Sequence, residues 1–385
     1  MAVARRPHAW RRRIERLFQF RLVPRARQAR GTDAFADGIA APTPIQPPLA
    51  LFFTTGYPGC GCDNIGVKEY DASSGEFVEE FAFSVSADKI GVDALGNVYV
   101  GYYGTNIDST EKFAIGGNTA LANYQPTHFS ADDGLVVGPN GELVLTGVFG
   151  GADTFDEWDP GTSGAASRTF SYPIPPGSPE QQSAAFGADG TLYIPYLSGG
   201  VEKVDVIAPE SSTVERTLVD TVAPYPSLFS PVATIVATDG TVYVAEDNPS
   251  GNSGADPDHG LYAFSRSGLQ ELLVSNMASS IDGLGLDSMQ RVYVLTQSGQ
   301  LSVYPPFNAN PLSQVELEVS FGGLAVAADG TAFMILGDGS AVYEVLPAAT
   351  FAELVAQGTH INAIALYPSA AKSATPMAAK SRAER

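Results

Sequence analysis

Six segments of the chain repeat one plan, and this repeat constrains the fold more than any other feature of the sequence. Each has an apolar strand, a turn usually centred on Asp-Gly or Asn-Gly, and a second strand with alternating Tyr or aliphatic residues. The segments are GVDALGNVYVGY (91–102), VVGPNGELVLTG (136–147), AFGADGTLYIPY (185–196), IVATDGTVYVAE (235–246), LGLDSMQRVYVLT (284–296) and AVAADGTAFMIL (325–336). Asp-Gly and Asn-Gly accept the positive φ angles of a tight hairpin. Gln290 replaces this Gly in the fifth segment, so we expect a looser turn there.

The spacing of these turns indicates the architecture. They recur every 40 to 50 residues, which is the usual length of a four-stranded propeller blade. INAIALYP (361–368) has the pattern of an inner strand without a second strand after it, and LALFFTT (49–55) that of a second strand without an inner strand before it. Together they make one further blade. The sequence therefore predicts an all-β, seven-bladed β-propeller closed by strands from both termini, or six blades if one copy is misread.

Composition divides the rest of the chain. Residues 1–30 contain ten Arg and one Glu, and apolar residues recur at helical spacing within AWRRRIERLFQFRL. This segment is predicted to be a basic tail, either an amphipathic helix that contacts an anionic membrane weakly or a disordered extension. Residues 31–48 are predicted to be a Pro-rich linker, 49–367 a single propeller domain, and 368–385 a disordered C-terminal tail.

The body of the chain is acidic. Residues 31–367 contain eight basic and 40 acidic residues, a formal charge of −32, which opposes nucleic acid binding and favours cations or cationic partners. The chain has no apolar run of the length that a signal peptide or a membrane span needs, so a soluble monomer is expected. Cys60 and Cys62 are separated by one glycine, a spacing that predicts free thiols or a labile local disulfide.

Oxygen-bearing side chains concentrate where one face of a propeller is expected. In this fold the loops that lead into inner strands and those that leave second strands lie on the same face, at the mouth of the central channel. The predicted metal-ligating residues at this mouth are Asp88, Asp133, Glu246, Asp247, Asn248, Asp282 and Asn362. Such a set suits Ca²⁺ or another divalent metal. The alternative is that Asp and Asn begin strands and cap turns by bonding to backbone amides.

The string DGTVYVAEDN followed by GLYAFSRSG resembles the repeats of NHL and SMP-30/gluconolactonase-like propellers. The resemblance covers residues 49–367 and implies an extracytoplasmic location. Lactonases of this type hold a divalent metal at the mouth with Glu, Asn and Asp from separate blades, and Asp247 and Asn248 match such a strand-end position. The other blades end their second strand in Thr, Tyr or Leu, and no Glu-Gly-Pro segment occurs early in the chain, so the resemblance predicts the fold better than the activity.

These observations favour a non-enzymatic binding or scaffold protein whose acidic mouth takes up calcium and a protein, glycan or small-molecule ligand. Exposed tyrosines near the mouth could line a groove for a glycan or peptide, or pack between blades: Tyr57, Tyr102, Tyr103, Tyr196 and Tyr225. The alternative is a metal-dependent enzyme. A lactonase would use His360 or Asp133 as its base. A lyase resembling streptogramin lyase would use His259.

Overall fold

The computed structural model describes 15 ranges of the chain. They are 50–55, 66–72, 76–82, 86–103, 109–126, 134–174, 183–198, 201–219, 230–247, 259–268, 271–277, 279–317, 321–346, 353–357 and 361–367. All of them belong to the unit Pro47–Arg385; the other unit, Met1–Gln46, lies outside the described residues, as do the predictions for the basic tail, the linker, the C-terminal tail, Cys60 and Cys62.

The described residues form strands and turns. The strands are β1 (Ala50–Thr55), β2 (Gly66–Asp71), β3 (Glu76–Ala82), β4 (Ser86–Val92), β5 (Val98–Tyr103), β6 (Ser109–Phe113), β7 (Ala120–Tyr124), β8 (Gly134–Val137), β9 (Leu143–Phe149), β10 (Ala152–Trp158), β11 (Arg168–Pro173), β12 (Ala185–Phe186), β13 (Leu192–Ser198) and β14 (Val201–Ile207). They continue with β15 (Arg216–Val219), β16 (Ser230–Val236), β17 (Val242–Asp247), β18 (His259–Phe264), β19 (Glu271–Met277), β20 (Ile281–Leu286), β21 (Val292–Thr296), β22 (Gln300–Tyr304), β23 (Ser313–Glu316), β24 (Phe321–Val326), β25 (Ala332–Leu336), β26 (Ala341–Val345), β27 (Glu353–Gln357) and β28 (Ile361–Tyr367). In this part of the chain no helix is long and apolar enough to cross a bilayer.

The described strands form seven antiparallel sheets of four strands each, arranged in a ring. Blade 1 contains β28, β1, β2 and β3 in that order, and the next six blades take four consecutive strands each, from β4–β7 in blade 2 to β24–β27 in blade 7. The first strand of each blade contacts the first strand of the next around the ring. The prediction of a seven-bladed β-propeller is confirmed.

Strands from both ends of the propeller close the ring, as predicted. β1 pairs antiparallel with β28, so that Ala50 lies opposite Tyr367 and Leu51 opposite Leu366. β28 is thus the inner strand of blade 1 and β1 its second strand. Because strands from the two ends of the propeller pair inside one sheet, blade 1 is completed by both and the ring is closed.

The turns between inner and second strands follow the predicted chemistry. The five glycines at the fourth turn position, from Gly96 to Gly330, have φ between 83° and 93°. Each donates its N–H to the carbonyl three residues earlier.

Gln290 makes the same turn, with φ of 60° and a distance of 2.9 Å between its backbone N and Asp287 O, so the expectation of a looser turn was wrong. A left-handed non-glycine residue costs roughly 1–2 kcal/mol. The Gln290 side chain offsets this cost by accepting a bond from the N–H of Thr238 in blade 5 at 2.6 Å.

The hydrophobic core lies between the blades. Seven clusters of buried side chains separate neighbouring blades, one cluster per interface. Along β17, Tyr243 and Ala245 pack against blade 6, while Val242 and Val244 pack against blade 4. Successive side chains of a strand point to opposite faces, and both faces of each blade are covered. This explains why the second strands are apolar at nearly every position.

Glycines let some inner strands approach closely. A Cβ atom at Gly91 would lie 2.5 Å from Val137 Cγ2, and one at Gly285 would lie 2.3 Å from Val326 Cγ2. Both glycines are on inner strands and face the inner strand of the next blade. The centre of the ring is therefore packed too tightly at these points for any larger residue.

Candidate functional site

The two ends of the ring differ in what they contain. All inner strands begin at one end, which we call the mouth, and finish at the other, which we call the hairpin end because it carries the turns between inner and second strands. Each second strand runs antiparallel to its inner strand, so it finishes at the mouth. Residues at the start of inner strands and at the end of second strands consequently share one end of the channel.

Near the mouth, the inner strands of five blades carry a β-bulge within the described residues. The extra residue is Asp88 in β4, Val232 in β16 and Asp282 in β20. In β24 and β28 the irregularity spans two residues, the first of which are Gly322 and Asn362. In the four of these blades that have a hairpin turn, the bulge residue stands five positions before the first turn residue. A bulge leaves one residue out of the ladder and re-aims its side chain, and bulges are over-represented next to functional sites.

Three of the bulge positions are open. Val232 is 44% exposed, Asn362 is exposed, and a Cβ at Gly322 would meet no atom within 4 Å. Asp282 is half-buried. We call the five bulge positions the bulge ring, which takes one position from each of these five blades.

Several of the predicted ligands belong to this ring. Asp88, Asp282 and Asn362 are bulge residues, and Glu246 and Asp247 are the last two residues of β17, opposite Pro231 and Ser230. His259 is the first residue of β18 and lies opposite Asp247. Asp133, Asn248 and His360 lie outside the described residues. Asp133 stands five positions before the turn residue Gly138, the spacing that the bulge residues share.

Asn362 also joins two blades. Its Nδ2 donates to the carbonyl of Ala87 in β4 at 3.2 Å, next to the bulge residue Asp88. The amide of Ala363 donates to Thr54 Oγ1 at 3.1 Å, which stabilises the bulge in β28. The mouth is therefore held in shape where the chain closes on itself. Among the described residues no group of three or more His, Cys, Asp or Glu side chains is arranged to hold a metal ion.

The opposite end of the channel is apolar. The last residues of five inner strands converge there, namely Val92, Val137, Phe186, Val236 and Leu286, and they line a cavity of about 80 Å³. Such a narrow apolar collar offers little to a hydrated or charged ligand, whose desolvation would not be compensated. A polar ligand is expected at the mouth instead.

One predicted aromatic groove residue is placed differently. Tyr102 is only 4% exposed, donates its hydroxyl to Glu111 Oε2 at 2.8 Å and packs between blades 1 and 2, so it cannot line a surface groove. Tyr196 is half-buried; its hydroxyl donates to Asp205 and its ring lies 4.5 Å from that of Tyr172. The packing alternative holds for both residues. Tyr57, Tyr225 and the side chain of Tyr103 lie outside what the structure describes.

Two buried aspartates at the hairpin end were missed by sequence reasoning. Asp93 Oδ1 accepts from the amides of Leu95 and Asn97, both at 2.9 Å, and its Oδ2 accepts from the hydroxyl of Tyr99 at 3.2 Å and pairs with Lys112 at 3.3 Å. Burial raises the pKa of Asp93, but the bonds from Asn97, the charge of Lys112 and the Leu95 amide together hold it below its ordinary value.

Asp287 repeats this arrangement in blade 6. Its Oδ1 accepts from the amides of Met289 and Arg291, and its Oδ2 accepts from Tyr293. In both blades an Asp at the first turn position is followed six residues later by Tyr, a pattern that could have indicated the pair. These carboxylates hold turns together and leave the mouth as the candidate site.

Comparison with solved structures agrees with the fold. The WD40 repeats of RRP9 match with a TM-score of 0.55 and 12% identity, over 74% of this chain and 84% of that chain. Hydrazine synthase from Kuenenia stuttgartiensis matches with a TM-score of 0.57 and 14% identity, over 74% and 90%. A putative 6-phosphogluconolactonase from Bacteroides fragilis NCTC 9343 matches with a TM-score of 0.59 and 14% identity, over 85% and 99%.

At these identities the likeness extends to the propeller fold alone. No protein-family model matches the chain, and no curated protein matches it. The resemblance to NHL and SMP-30-like repeats stays a prediction below the level of the fold.

Proposed function

We propose that the protein is a non-enzymatic binding protein that recognises its ligand at the mouth, with a calcium ion held by the bulge ring. The observation that supports this proposal is the ring itself. Asp88 and Asp282 are the single residues that leave the ladder in their inner strands, and Asn362 lies in the corresponding irregularity of β28. Carboxylate and amide oxygens are the ligands that Ca²⁺ prefers, and it takes six to eight of them in flexible geometry.

Charge supports a cation over an anion at this place. The body carries −32, and carboxylates brought to one end of a channel repel each other unless a cation or a proton compensates them. A bound calcium ion would lower this repulsion and leave coordination positions for oxygens of a protein, glycan or small-molecule ligand.

The test is calorimetric titration of the chelator-treated protein with Ca²⁺, Mg²⁺ and Zn²⁺, repeated on Asp282→Asn. We expect saturable calcium binding that is at least tenfold weaker in the variant, because one coordinating charge is lost. Asp329→Asn is the matched control, since it removes one carboxylate from an exposed turn at the hairpin end. The proposal fails if no ion binds, or if the two variants bind calcium equally well.

A second candidate is metal-dependent lactone hydrolysis at the same ring. It is favoured by the likeness to the Bacteroides fragilis protein, which covers 99% of that chain. A divalent metal could polarise a lactone carbonyl and lower the pKa of a bound water. Hydrolysis of lactones that requires added metal and is lost in Asp282→Asn would favour this candidate. Calcium binding without turnover of any lactone would favour the binding protein.

A further inference from the structure

An open groove lies at the hairpin end, away from the mouth. Its volume is about 630 Å³, and its lining includes Arg216, Asp239, Ser265, Arg266, Ser267 and Phe307. These residues come from three successive blades, 4, 5 and 6. The presence of two arginines is unusual in a body that has only eight basic residues.

Close packing between blades builds the groove. The turn 265–268 of blade 5 lies against the outer strand of blade 4, since a Cβ at Gly268 would be 2.7 Å from Leu218 Cδ2. The stem of Arg266 passes over Gly240, whose Cβ would lie 3.0 Å from Arg266 Cγ and Cδ. On the other side, the amide of Phe307 donates to the Tyr243 hydroxyl at 2.8 Å. The two arginines are thus held on one surface by packed backbone.

Blade 3 contains an arginine, Arg168, at the position equivalent to Arg216. In blade 3, Asp156 lies opposite Thr169 and Glu157 opposite Arg168. In blade 4, Asp205 lies opposite Thr217 and Val206 opposite Arg216. The Asp–Thr pair is the same in both blades, with the Thr hydroxyl donating to the carboxylate at 2.6 Å.

The partners of the two arginines differ. Arg168 binds Glu157 at 2.8 Å and also pairs with Asp159. In blade 4 the corresponding residues are Val206 and Ala208, so Arg216 has lost both carboxylates while the arginine is kept. Arg216 makes a side-chain hydrogen bond with Tyr193 but forms no ion pair within the described residues, so no carboxylate compensates its charge as Glu157 and Asp159 compensate that of Arg168.

The contacts of both groove arginines are incomplete within the described residues. Neither Arg216 nor Arg266 forms an ion pair there, and Nε of Arg216 is buried without a hydrogen-bond partner. A buried donor left unpaired is destabilising. The nearby carboxylate of Asp239 accepts from the amide of Thr241 at 2.8 Å, which stabilises its own turn.

Tyr193 lies beside the two arginines. Its side chain is buried between blades 4 and 5. Burial and the charge of Asp189 raise the pKa of Tyr193, while the positive charges of Arg216 and Arg266 and a hydrogen bond with Arg216 lower it. Both arginines also line the same groove.

We propose that this groove binds a phosphate or sulfate monoester, whose oxyanion is held between Arg216 and Arg266. Guanidinium groups bind such tetrahedral anions through paired, charge-assisted hydrogen bonds. Ser265 and Ser267, with hydroxyl oxygens 3.2 Å apart, add hydroxyl groups at the rim. The groove is large enough for a small organic group attached to the anion, and Phe307 supplies an apolar wall for it. This site is separate from the bulge ring and does not depend on its function.

The test uses the full chain and calorimetric titration with five probes at constant ionic strength: inorganic phosphate, inorganic sulfate, glucose 6-phosphate, glucose 6-sulfate and glucose. We expect saturable binding of at least one monoester, tenfold or more tighter than glucose, and the tighter of the two esters identifies the anion. Arg216→Gln and Arg266→Gln should each weaken this binding at least tenfold. Lys203→Gln is the matched control, because it removes one positive charge from blade 4 outside the groove and should bind as the unmodified chain does.

Thermal unfolding of each variant separates loss of the site from loss of the fold. Arg216→Lys adds a second check: it keeps the charge but loses the paired donors, so it should bind more weakly than the unmodified chain and more tightly than Arg216→Gln. The proposal is overturned if no probe binds saturably, if glucose binds as tightly as its esters, or if the arginine variants bind like Lys203→Gln.

Discussion

Asp287 is the residue whose replacement should show most directly how the hairpin end is held together. Its side chain is completely buried. Oδ1 accepts from the amides of Met289 and Arg291, both at 2.9 Å. Oδ2 accepts from Arg291 Nε at 2.5 Å and from the Tyr293 hydroxyl at 3.3 Å. Asp287→Ala removes the acceptor for all four donors at once.

The expected loss of stability follows from these contacts. Breaking a buried ion pair by removing one partner costs about 3–5 kcal/mol. The Arg291 side chain is 25% exposed and can regain some hydration, so the lower end of this range applies, about 3 kcal/mol. For a domain of this size about 1 kcal/mol corresponds to roughly 2 °C in Tm. We expect Asp287→Ala to melt about 6 °C below the unmodified protein.

Asp329→Ala is the matched control, and thermal unfolding followed by circular dichroism is the assay. Asp329 is at a turn of the same type in blade 7, but it is exposed and accepts a bond from the amide of Thr331 at 2.8 Å. Losing one such bond costs about 1 kcal/mol, or about 2 °C. If both variants melt at the same temperature, burial and the number of donors do not determine the contribution of these aspartates, and the reasoning is refuted.

Two further predictions test the ring at other points. Asp93 has a lowered pKa in the fold, so its stabilising effect is present above the ordinary carboxylate pKa of about 3.9 and is lost as the pH falls through the folded-state value. Urea unfolding should show that Asp93→Asn is less stable than the unmodified protein at pH 7 and that this difference in unfolding free energy shrinks below about pH 4. A difference that stays constant down to pH 3 would contradict this. Gly285→Ala should lower the free energy of unfolding by about 1–3 kcal/mol through overpacking, because the new Cβ would lie 2.3 Å from Val326 Cγ2. Gly322→Ala is the control and should leave the melting temperature nearly unchanged, since its Cβ would meet no atom within 4 Å. Equal effects would argue against close packing of the inner strands.

The blade count and the closure of the ring could be predicted because they depend on local chemistry repeated along the chain. A hairpin turn requires positive φ at one position, and glycine marks that position in five of the six repeats. The strand pair from the two termini could be predicted because each half lacked the strand that the other supplied. Its register, with Ala50 opposite Tyr367, continues the pattern of a normal blade.

The exceptions involve contacts between blades, which the repeat pattern does not contain. Gln290 keeps the tight turn because its side chain reaches Thr238, 52 residues away in the chain. Tyr102 is buried because it packs in the cluster between blades 1 and 2. In both cases the deciding partner is known only when the blades and strands are placed beside each other.

The bulge ring forms with several residue types. Val232 and Gly322 occupy the same bulge position as Asp88, Asp282 and Asn362, so the bulge itself forms with an apolar residue, with glycine or with a polar residue. A carboxylate there is not required for the turn, the ladder or the core. At the hairpin end, by contrast, the carboxylates of Asp93 and Asp287 accept hydrogen bonds from the amides of their own turns. The bulge thus tolerates several residue types at the open end of the channel, and selection for a ligand can act at such a position. For this reason Asp282, and not Asp93 or Asp287, is the carboxylate whose replacement is expected to weaken calcium binding.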